Sequence, residues 1–192
     1  MTDEDFWVFG YGSLMWRPGF EFREKSLAWV HGYHRSLCVF SHVHRGTPER
    51  PGLVLGLDYG GSCLGVAFRV AGAARDETLA YLRARELVTS VYIERMVGLR
   101  FPGGGATRAL AFVVDRAHEQ YAGRLPVEEM ARLVACGVGA SGANPDYVHN
   151  TYRHLLELEV RDAALAEVVR RLNAARETDA RENAAAPERR SA

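Results

Sequence analysis

The chain has 192 residues, 47% of them hydrophobic and 25% charged, a composition typical of a globular protein. Lys plus Arg and Asp plus Glu both total 24, so the formal net charge is zero, which argues against a nucleic-acid partner. No apolar stretch reaches the roughly 18 residues of a membrane helix, and the acidic start MTDEDF is the reverse of a secretory signal, so we expect no membrane partner.

The length predicts one domain, over residues 1–177, followed by a tail. The stretch 178–192, TDARENAAAPERRSA, has no large apolar residue, and we expect it to be disordered. Cys38, Cys63 and Cys136 form no C-x-x-C pair, which favours reduced thiols and a cytoplasmic location. The oligomeric state is left open.

The first two thirds of the sequence predict strands and turns. The predicted strands are FWVF (6–9), AWVHGYHRSLCVFSH (28–42), LVLGL (53–57), CLGVAFRV (63–70) and TRALAFVVD (107–115). A turn, DYGGS, separates the third from the fourth, and one helix is predicted over 76–87.

The last third predicts helices. Pro126 and Pro145 each suit the first turn of a helix, and a third helical stretch starts near Asp162. Clustered strands followed by helices indicate an α+β fold with a mostly antiparallel or mixed sheet, which can close as a small barrel.

The segment FGYGSL (9–14) follows the first apolar run directly. A hairpin would explain Gly10 and Gly12 but not the Ser13 and Leu14 that follow. The alternative is a loop that wraps a ligand, since glycines let the backbone approach a small molecule and present N–H groups to an anion or oxyanion.

Glu86 lies where a core residue is expected. On the predicted helix, Leu79, Leu82 and Glu86 share one stripe, whereas Arg85 points elsewhere and is interpreted as a solvated charge. A carboxylate on an inward face should have a raised pKa and suits general acid–base work. The alternative is a structural pair between Glu86 and a cation such as Arg83 or Arg69.

Two other patterns point more weakly to ligands. The segment CGVGASGAN (136–144) contains G-x-G-x-x-G, but it follows a helix and no βαβ unit is visible, so we interpret it as a connection between helices. His42 and His44 alternate as a metal pair would, yet no carboxylate or cysteine stands at a recognised spacing, and polar loop histidines fit better.

Two further features are open to other interpretations. Ser13 lacks the G-x-S-x-G elbow of a nucleophile, so binding or capping fits its hydroxyl better. The turn-rich segment HRGTPERPG (44–52) is either a plain surface loop or part of a binding site that uses Arg45 or Arg50.

Several of these segments together resemble the ChaC-like γ-glutamylcyclotransferases. The resemblance runs in order from about Phe6 to Asp162 and rests on WVFGYGSLMW (7–16), HRGTPERPG (44–52), GVAFRV (65–70), YLRARELVTSVY (81–92) and GASGANPDYVHNT (139–151).

The resemblance implies a small mixed β-barrel with flanking helices and an enzyme that needs no metal or cofactor. Its substrate would be a small molecule, glutathione or a related γ-glutamyl peptide, which it would cleave to 5-oxoproline and an amine. Glu86 matches the family's catalytic glutamate. The expected substrate-binding residues are Val8, Phe9, Gly10, Tyr11, Gly12, Ser13 and Leu14, with Arg45 and Tyr147 as further candidates.

Two alternatives remain at this point. One is a cyclotransferase that acts on other γ-glutamyl amines or amino acids. The other is a non-catalytic protein that binds a small metabolite, although a binding protein has little reason to bury a lone base.

Overall fold

The computed structural model of the chain describes residues 4–87 and 89–185. Its strands are β1 (Phe6–Gly10), β2 (Glu24–Ser41), β3 (Gly52–Val70), β4 (Tyr92–Arg100), β5 (Ala106–Val114), β6 (Val138–Gly139) and β7 (Gly142–Ala143). Its α-helices are α1 (Arg75–Glu86), α2 (Val127–Cys136), α3 (Asn144–Glu157) and α4 (Ala163–Ala185). Short 3₁₀ turns cover Ser13–Met15 and Gly72–Ala74.

Five strands close into a barrel in the order β1-β3-β2-β4-β5. Strand β1 is antiparallel to β3, with Val8 opposite Phe68, and parallel to β5, with Trp7 opposite Ala109. Strands β4 and β5 pair antiparallel over their whole length. The predicted α+β fold with a small mixed barrel and flanking helices is therefore confirmed.

The chain divides into two compact units. Unit 1 comprises the residues up to Phe40, Val54–Arg124 and Glu157–Val160, and it contains most of the barrel together with α1. Unit 2 comprises Ser41–Leu53, Leu125–Leu156 and the residues from Arg161 onward, and it contains α2, α4, the β6–β7 hairpin and nearly all of α3. The single domain over 1–177 stays a prediction.

Helix α1 is fixed to the barrel by its apolar face. Leu82 is fully buried in a cluster with side chains from β1, β3 and β5, and Leu79 packs against that cluster from the side. The cluster consists of Phe6, Val8, Leu14, Val70, Leu82, Leu110 and Phe112. Leu14 belongs to the segment FGYGSL, residues 9–14, which we call the glycine segment. The same core therefore holds α1 and the glycine segment.

Three local predictions differ from the structure. The predicted DYGGS turn lies inside one continuous strand, β3, where Gly60 and Gly61 take positive φ values of 100° and 71° and let the strand bend without ending. Strand β4 was missed because the charged residues Glu94 and Arg95 interrupt its apolar pattern. Helix α4 continues through Ala185, since residues 163–185 contain no Gly or Pro.

The predicted disordered tail thus begins within a helix, and residues 186–192 lie outside the described residues. Within the described ranges, no helix combines the length and apolarity needed to cross a membrane. All three cysteines are free thiols. The cytoplasmic location stays a prediction.

Candidate active site

Glu86 is the last residue of α1 and lies where the helical stripe placed it. Only 18% of its side chain is exposed, and Leu82, one turn earlier, is fully buried. Burial raises the pKa of the Glu86 carboxyl above its ordinary value of 4.5, because removal from water disfavours the charged form. Arg85 opposes this rise in pKa through its positive charge and a hydrogen bond. Glu86 is thus a partly desolvated carboxylate, as expected of a general base.

The cation that pairs with Glu86 is its neighbour in sequence. Nε of Arg85 lies 3.0 Å from Oε1 of Glu86. The two cations considered from the sequence bind other carboxylates, Arg83 that of Glu94 and Arg69 that of Glu24. The interpretation of Arg85 as a solvated charge was therefore wrong. Its Cβ points away from the stripe, but its long side chain bends back at the helix end.

Arg85 also binds the glycine segment and the chain that follows it. Nη2 donates to Oγ of Ser13 at 2.9 Å. Nη1 donates to the carbonyl oxygens of Arg17 at 2.6 Å and Pro18 at 3.3 Å, and it lies 3.1 Å from the Tyr81 hydroxyl. One guanidinium group therefore joins the candidate base to the candidate binding segment.

The carbonyl groups of residues 11–13 are all bound inside unit 1. The buried Arg35 guanidinium donates to the carbonyl of residue 11, and the N–H groups of Met15 and Arg17 donate to those of residues 12 and 13, each at 2.9 Å. Arg35 also donates to the carbonyl of Leu64 at 2.8 Å. These contacts fix the orientation of three successive peptide groups.

The N–H groups of Gly12, Ser13 and Leu14 consequently point away from those internal partners. In a planar trans peptide, the C=O of one residue and the N–H of the next point in opposite directions. The side chains of Val8, Phe9 and Leu14 are buried, so only the backbone of these three residues is left to meet a ligand, and substrate binding by residues 8–14 stays a prediction. Three N–H donors in a row suit an anionic oxygen.

A close backbone contact fixes the start of the glycine segment. A Cβ atom built on Gly65 would lie 2.3 Å from the carbonyl oxygen of Gly10 and 2.6 Å from the ring of Phe9. Only a glycine at position 65 lets β3 approach the end of β1 this closely.

Arg45 and Tyr147 contact each other within unit 2. The Arg45 guanidinium lies 5.3 Å from the centre of the Tyr147 ring, and its Nη1 donates to the carbonyls of Ser141 at 2.6 Å and Ala143 at 3.3 Å. Arg45 thereby secures the β6–β7 hairpin. A role of either residue in substrate binding stays a prediction.

The G-x-G-x-x-G segment lies between α2 and α3, so its interpretation as a connection between helices is confirmed. Cβ atoms on Gly137 and Gly139 would lie 2.6 Å from the carbonyl oxygen of Arg45 and 2.5 Å from that of Val43. These two glycines therefore contact the protein's own backbone, where a nucleotide-binding loop would contact phosphates.

The alternating histidines do not form a metal pair with other ligands. Nδ1 of His44 lies 3.0 Å from Oγ of Ser141. Across residues 4–87 and 89–185, no three His, Cys, Asp or Glu side chains come together in a way that could hold a metal ion.

Comparisons with known proteins show the family of this chain. A family model described as ChaC-like protein matches residues 6–175. The chain belongs to the ChaC-like family. A glutathione-specific γ-glutamylcyclotransferase of Escherichia coli K12 is 33% identical over 163 residues, which cover 85% of this chain and 71% of the relative. Glutathione-specific γ-glutamylcyclotransferase 1 of Danio rerio is 37% identical over 147 residues, 74% of each chain.

A solved structure shows the same fold. The crystal structure of a γ-glutamyl cyclotransferase specific to glutathione from yeast superposes with a TM-score of 0.80, covering 88% of this chain and 96% of that one. Its sequence identity is 21%, so this likeness concerns the fold alone.

Sequence reasoning missed two arginines of this candidate site, Arg85 and Arg35. A helical projection shows where Arg85 leaves the helix but not that a long side chain at the helix end reaches back. Arg35 stands in an aromatic-rich strand pattern, and a charged residue within it was the one signal that pointed to a buried polar contact.

Proposed function

We propose that this chain is a γ-glutamylcyclotransferase that converts glutathione to 5-oxoproline and cysteinylglycine. The observation that carries the proposal is the desolvated Glu86 carboxylate, which Arg85 ties to Ser13 in the glycine segment. The relatives named glutathione-specific γ-glutamylcyclotransferases supply the substrate.

In this reaction the substrate supplies its own nucleophile. The α-amine of the γ-glutamyl group attacks the γ-carbonyl carbon, so that a new C–N bond closes the five-membered ring and the old amide C–N bond breaks. When an enzyme holds the reacting atoms in a near-attack geometry, about 7–11 kcal/mol of the barrier is removed.

Glu86 moves the protons that the ring closure requires. At neutral pH the α-amine is mostly an ammonium group, which has no lone pair for attack. Glu86 accepts one of its protons and returns a proton to the leaving nitrogen. Proton transfer of this kind contributes roughly 10²–10⁴-fold, and it is most effective when the pKa of the base lies near the working pH. Burial moves the pKa of Glu86 in that direction.

The N–H groups of Gly12, Ser13 and Leu14 stabilise the oxyanion. Ring closure places negative charge on the former γ-carbonyl oxygen, and donors whose peptide groups are already fixed need no reorganisation to receive it. Removing one donor of this type typically costs about 10²–10³-fold in rate.

The test is a product assay with three substrates at equal concentration: glutathione, γ-glutamyl-lysine and γ-glutamyl-alanine. We expect 5-oxoproline and cysteinylglycine in equal amounts from glutathione and slower turnover of the other two. Turnover of the other two alone would make the protein a cyclotransferase for different γ-glutamyl amines. Binding of glutathione without product would make it a binding protein.

A further inference from the structure

Arg85 uses all three nitrogen atoms of its guanidinium group to connect α1 with the chain around the glycine segment. Nε binds Glu86 on α1, Nη2 binds Ser13 in the glycine segment, and Nη1 binds the carbonyls of residues 17–18. Only 20% of the side chain is exposed. A guanidinium is rigid and planar, so these contacts fix the distance between the carboxylate and the segment.

The chain beyond the glycine segment is locked in the same place. Gly19 has a φ of 75°, and a Cβ atom on it would lie 1.9 Å from the Tyr81 hydroxyl oxygen. Tyr81 stands one turn before Arg85 on α1, and its hydroxyl contacts the Arg85 guanidinium. Residues 13–19 are thus held against the end of α1 by these two side chains.

Arg83, two residues earlier on the same helix, shows what an ordinary pair looks like. It binds Glu94 through Nε at 2.6 Å and through Nη2 at 3.1 Å, and 53% of its side chain is exposed. Surface pairs of this kind typically contribute little to stability, because water and salt screen their charges. Arg85 differs from Arg83 in its burial and in the two elements that it connects.

We propose that Arg85 is a positioning residue that sets both the charge state of Glu86 and its distance from the glycine segment. The proposal deepens the proposed function and rests on it. Arg85 acts through Glu86 and Ser13 and is assigned no contact with substrate.

The positive charge of Arg85 and the planar shape of its guanidinium group have separate effects, the first on the titration of Glu86 and the second on the geometry of the site. Within the described part of the chain, Arg85 is the charged group that acts on the Glu86 carboxylate. Its other contacts go to the hydroxyls of Ser13 and Tyr81 and to the backbone carbonyls of residues 17–18. Removing the charge therefore leaves burial unopposed, and Glu86 should titrate at higher pH. A lysine at position 85 keeps the positive charge but lacks the planar guanidinium group. It should leave the titration of Glu86 nearly unchanged but alter the distance between Glu86 and the glycine segment.

The experiment compares wild type, Arg85→Gln, Arg85→Lys and the matched control Arg83→Gln. Folding is checked by thermal melting, the Glu86 carboxyl is titrated by ¹³C NMR, and kcat and KM for glutathione are measured against pH. The NMR titration needs no substrate, so it tests the charge effect even if the proposed function fails.

We expect the Glu86 titration and the acid limb of kcat/KM to move to higher pH in Arg85→Gln. In Arg85→Lys both should stay near wild type, while kcat falls roughly 10- to 100-fold because the lysine cannot span the two elements. Arg83→Gln should match wild type in the Glu86 titration, in the acid limb of kcat/KM and in kcat.

A folded Arg85→Gln protein with an unshifted Glu86 titration would overturn the proposal, as would Arg85→Lys with wild-type kcat. If Arg85→Gln does not fold, Arg85→Lys decides through its kcat. Wild-type protein that releases no 5-oxoproline from glutathione would count against the proposed function and leave the titration result standing.

Discussion

Replacing Gly65 by alanine tests whether the exact position of the glycine segment matters for activity. The new Cβ would lie 2.3 Å from the Gly10 carbonyl oxygen, whereas ordinary contact begins at 3.4 Å. The end of β1 must therefore move by about 1 Å, and with it the peptide groups of residues 11–14. A misplacement of about 1 Å costs on the order of 10²-fold in rate.

The same substitution should also lower stability. Overpacking in a buried site typically costs about 1–3 kcal/mol, partly offset by up to ~1 kcal/mol from the lower entropy of the unfolded alanine chain. In a protein of this size that corresponds to a fall in Tm of at most about 12 °C. Strand φ and ψ at this position suit alanine, so the effect is steric.

The assay measures kcat for 5-oxoproline release well below the lowered Tm, with Gly98→Ala as the matched control. Gly98 lies in strand β4 of the same barrel, and a Cβ atom there has nothing within 4 Å. We expect the control to keep wild-type kcat, with a Tm equal to that of wild type or up to about 4 °C higher, because alanine lowers the entropy of the unfolded chain. A Gly65→Ala protein with lower Tm but wild-type kcat would show that the geometry of the glycine segment does not limit the rate.

Two further predictions concern stability. Asn144 is fully buried and binds both the N–H and the C=O of Leu53, so Asn144→Ala leaves two buried backbone groups unpaired and should lower the free energy of unfolding by roughly 2–6 kcal/mol in chemical denaturation. The control is Asn150→Ala at an exposed position of the same helix, which should change stability by less than about 0.5 kcal/mol. Equal losses in the two variants would contradict this role of Asn144. The pKa of Glu86 is raised in the folded state, so the folded protein holds a proton there that the unfolded chain has already lost. Wild type should therefore lose stability relative to Glu86→Gln as pH rises from 4.5 through the raised pKa, as measured by denaturation curves at several pH values. A stability difference that is constant with pH would contradict this.

The sequence predicted those parts of the site that depend on local periodicity. Leu79, Leu82 and Glu86 lie on one stripe because an α-helix repeats every 3.6 residues, and the structure places the two leucines against the core as expected. The glycine segment was predicted to present N–H groups because its composition allows close backbone approach. The barrel followed from strand patterns and from the resemblance.

The parts that the sequence did not predict depend on tertiary contacts. The orientation of the Tyr11–Gly12 peptide is set by Arg35, which lies 24 positions along the chain and reaches the loop only in the folded barrel. Arg85 reaches Ser13 across 72 positions. Neither contact leaves a periodic signal, since both depend on where a long, flexible side chain ends rather than on where its Cβ begins.

Strand β4 was missed for a different reason. Exposed and buried residues alternate only over its last five residues, 96–100, and Glu94 and Arg95 interrupt the apolar pattern before them. The pairing of β4 with β5 through all nine residues supplies the stability that the local pattern does not indicate.

The most direct test of the account compares glutathione turnover by wild type and Glu86→Gln, with 5-oxoproline and cysteinylglycine quantified by mass spectrometry. Glutamine keeps the size of the side chain but cannot accept a proton at neutral pH. We expect equal release of both products by wild type and a folded Glu86→Gln protein with a rate at least ~10²-fold lower. Equal rates in the two proteins would show that Glu86 is a structural residue and would contradict the mechanism.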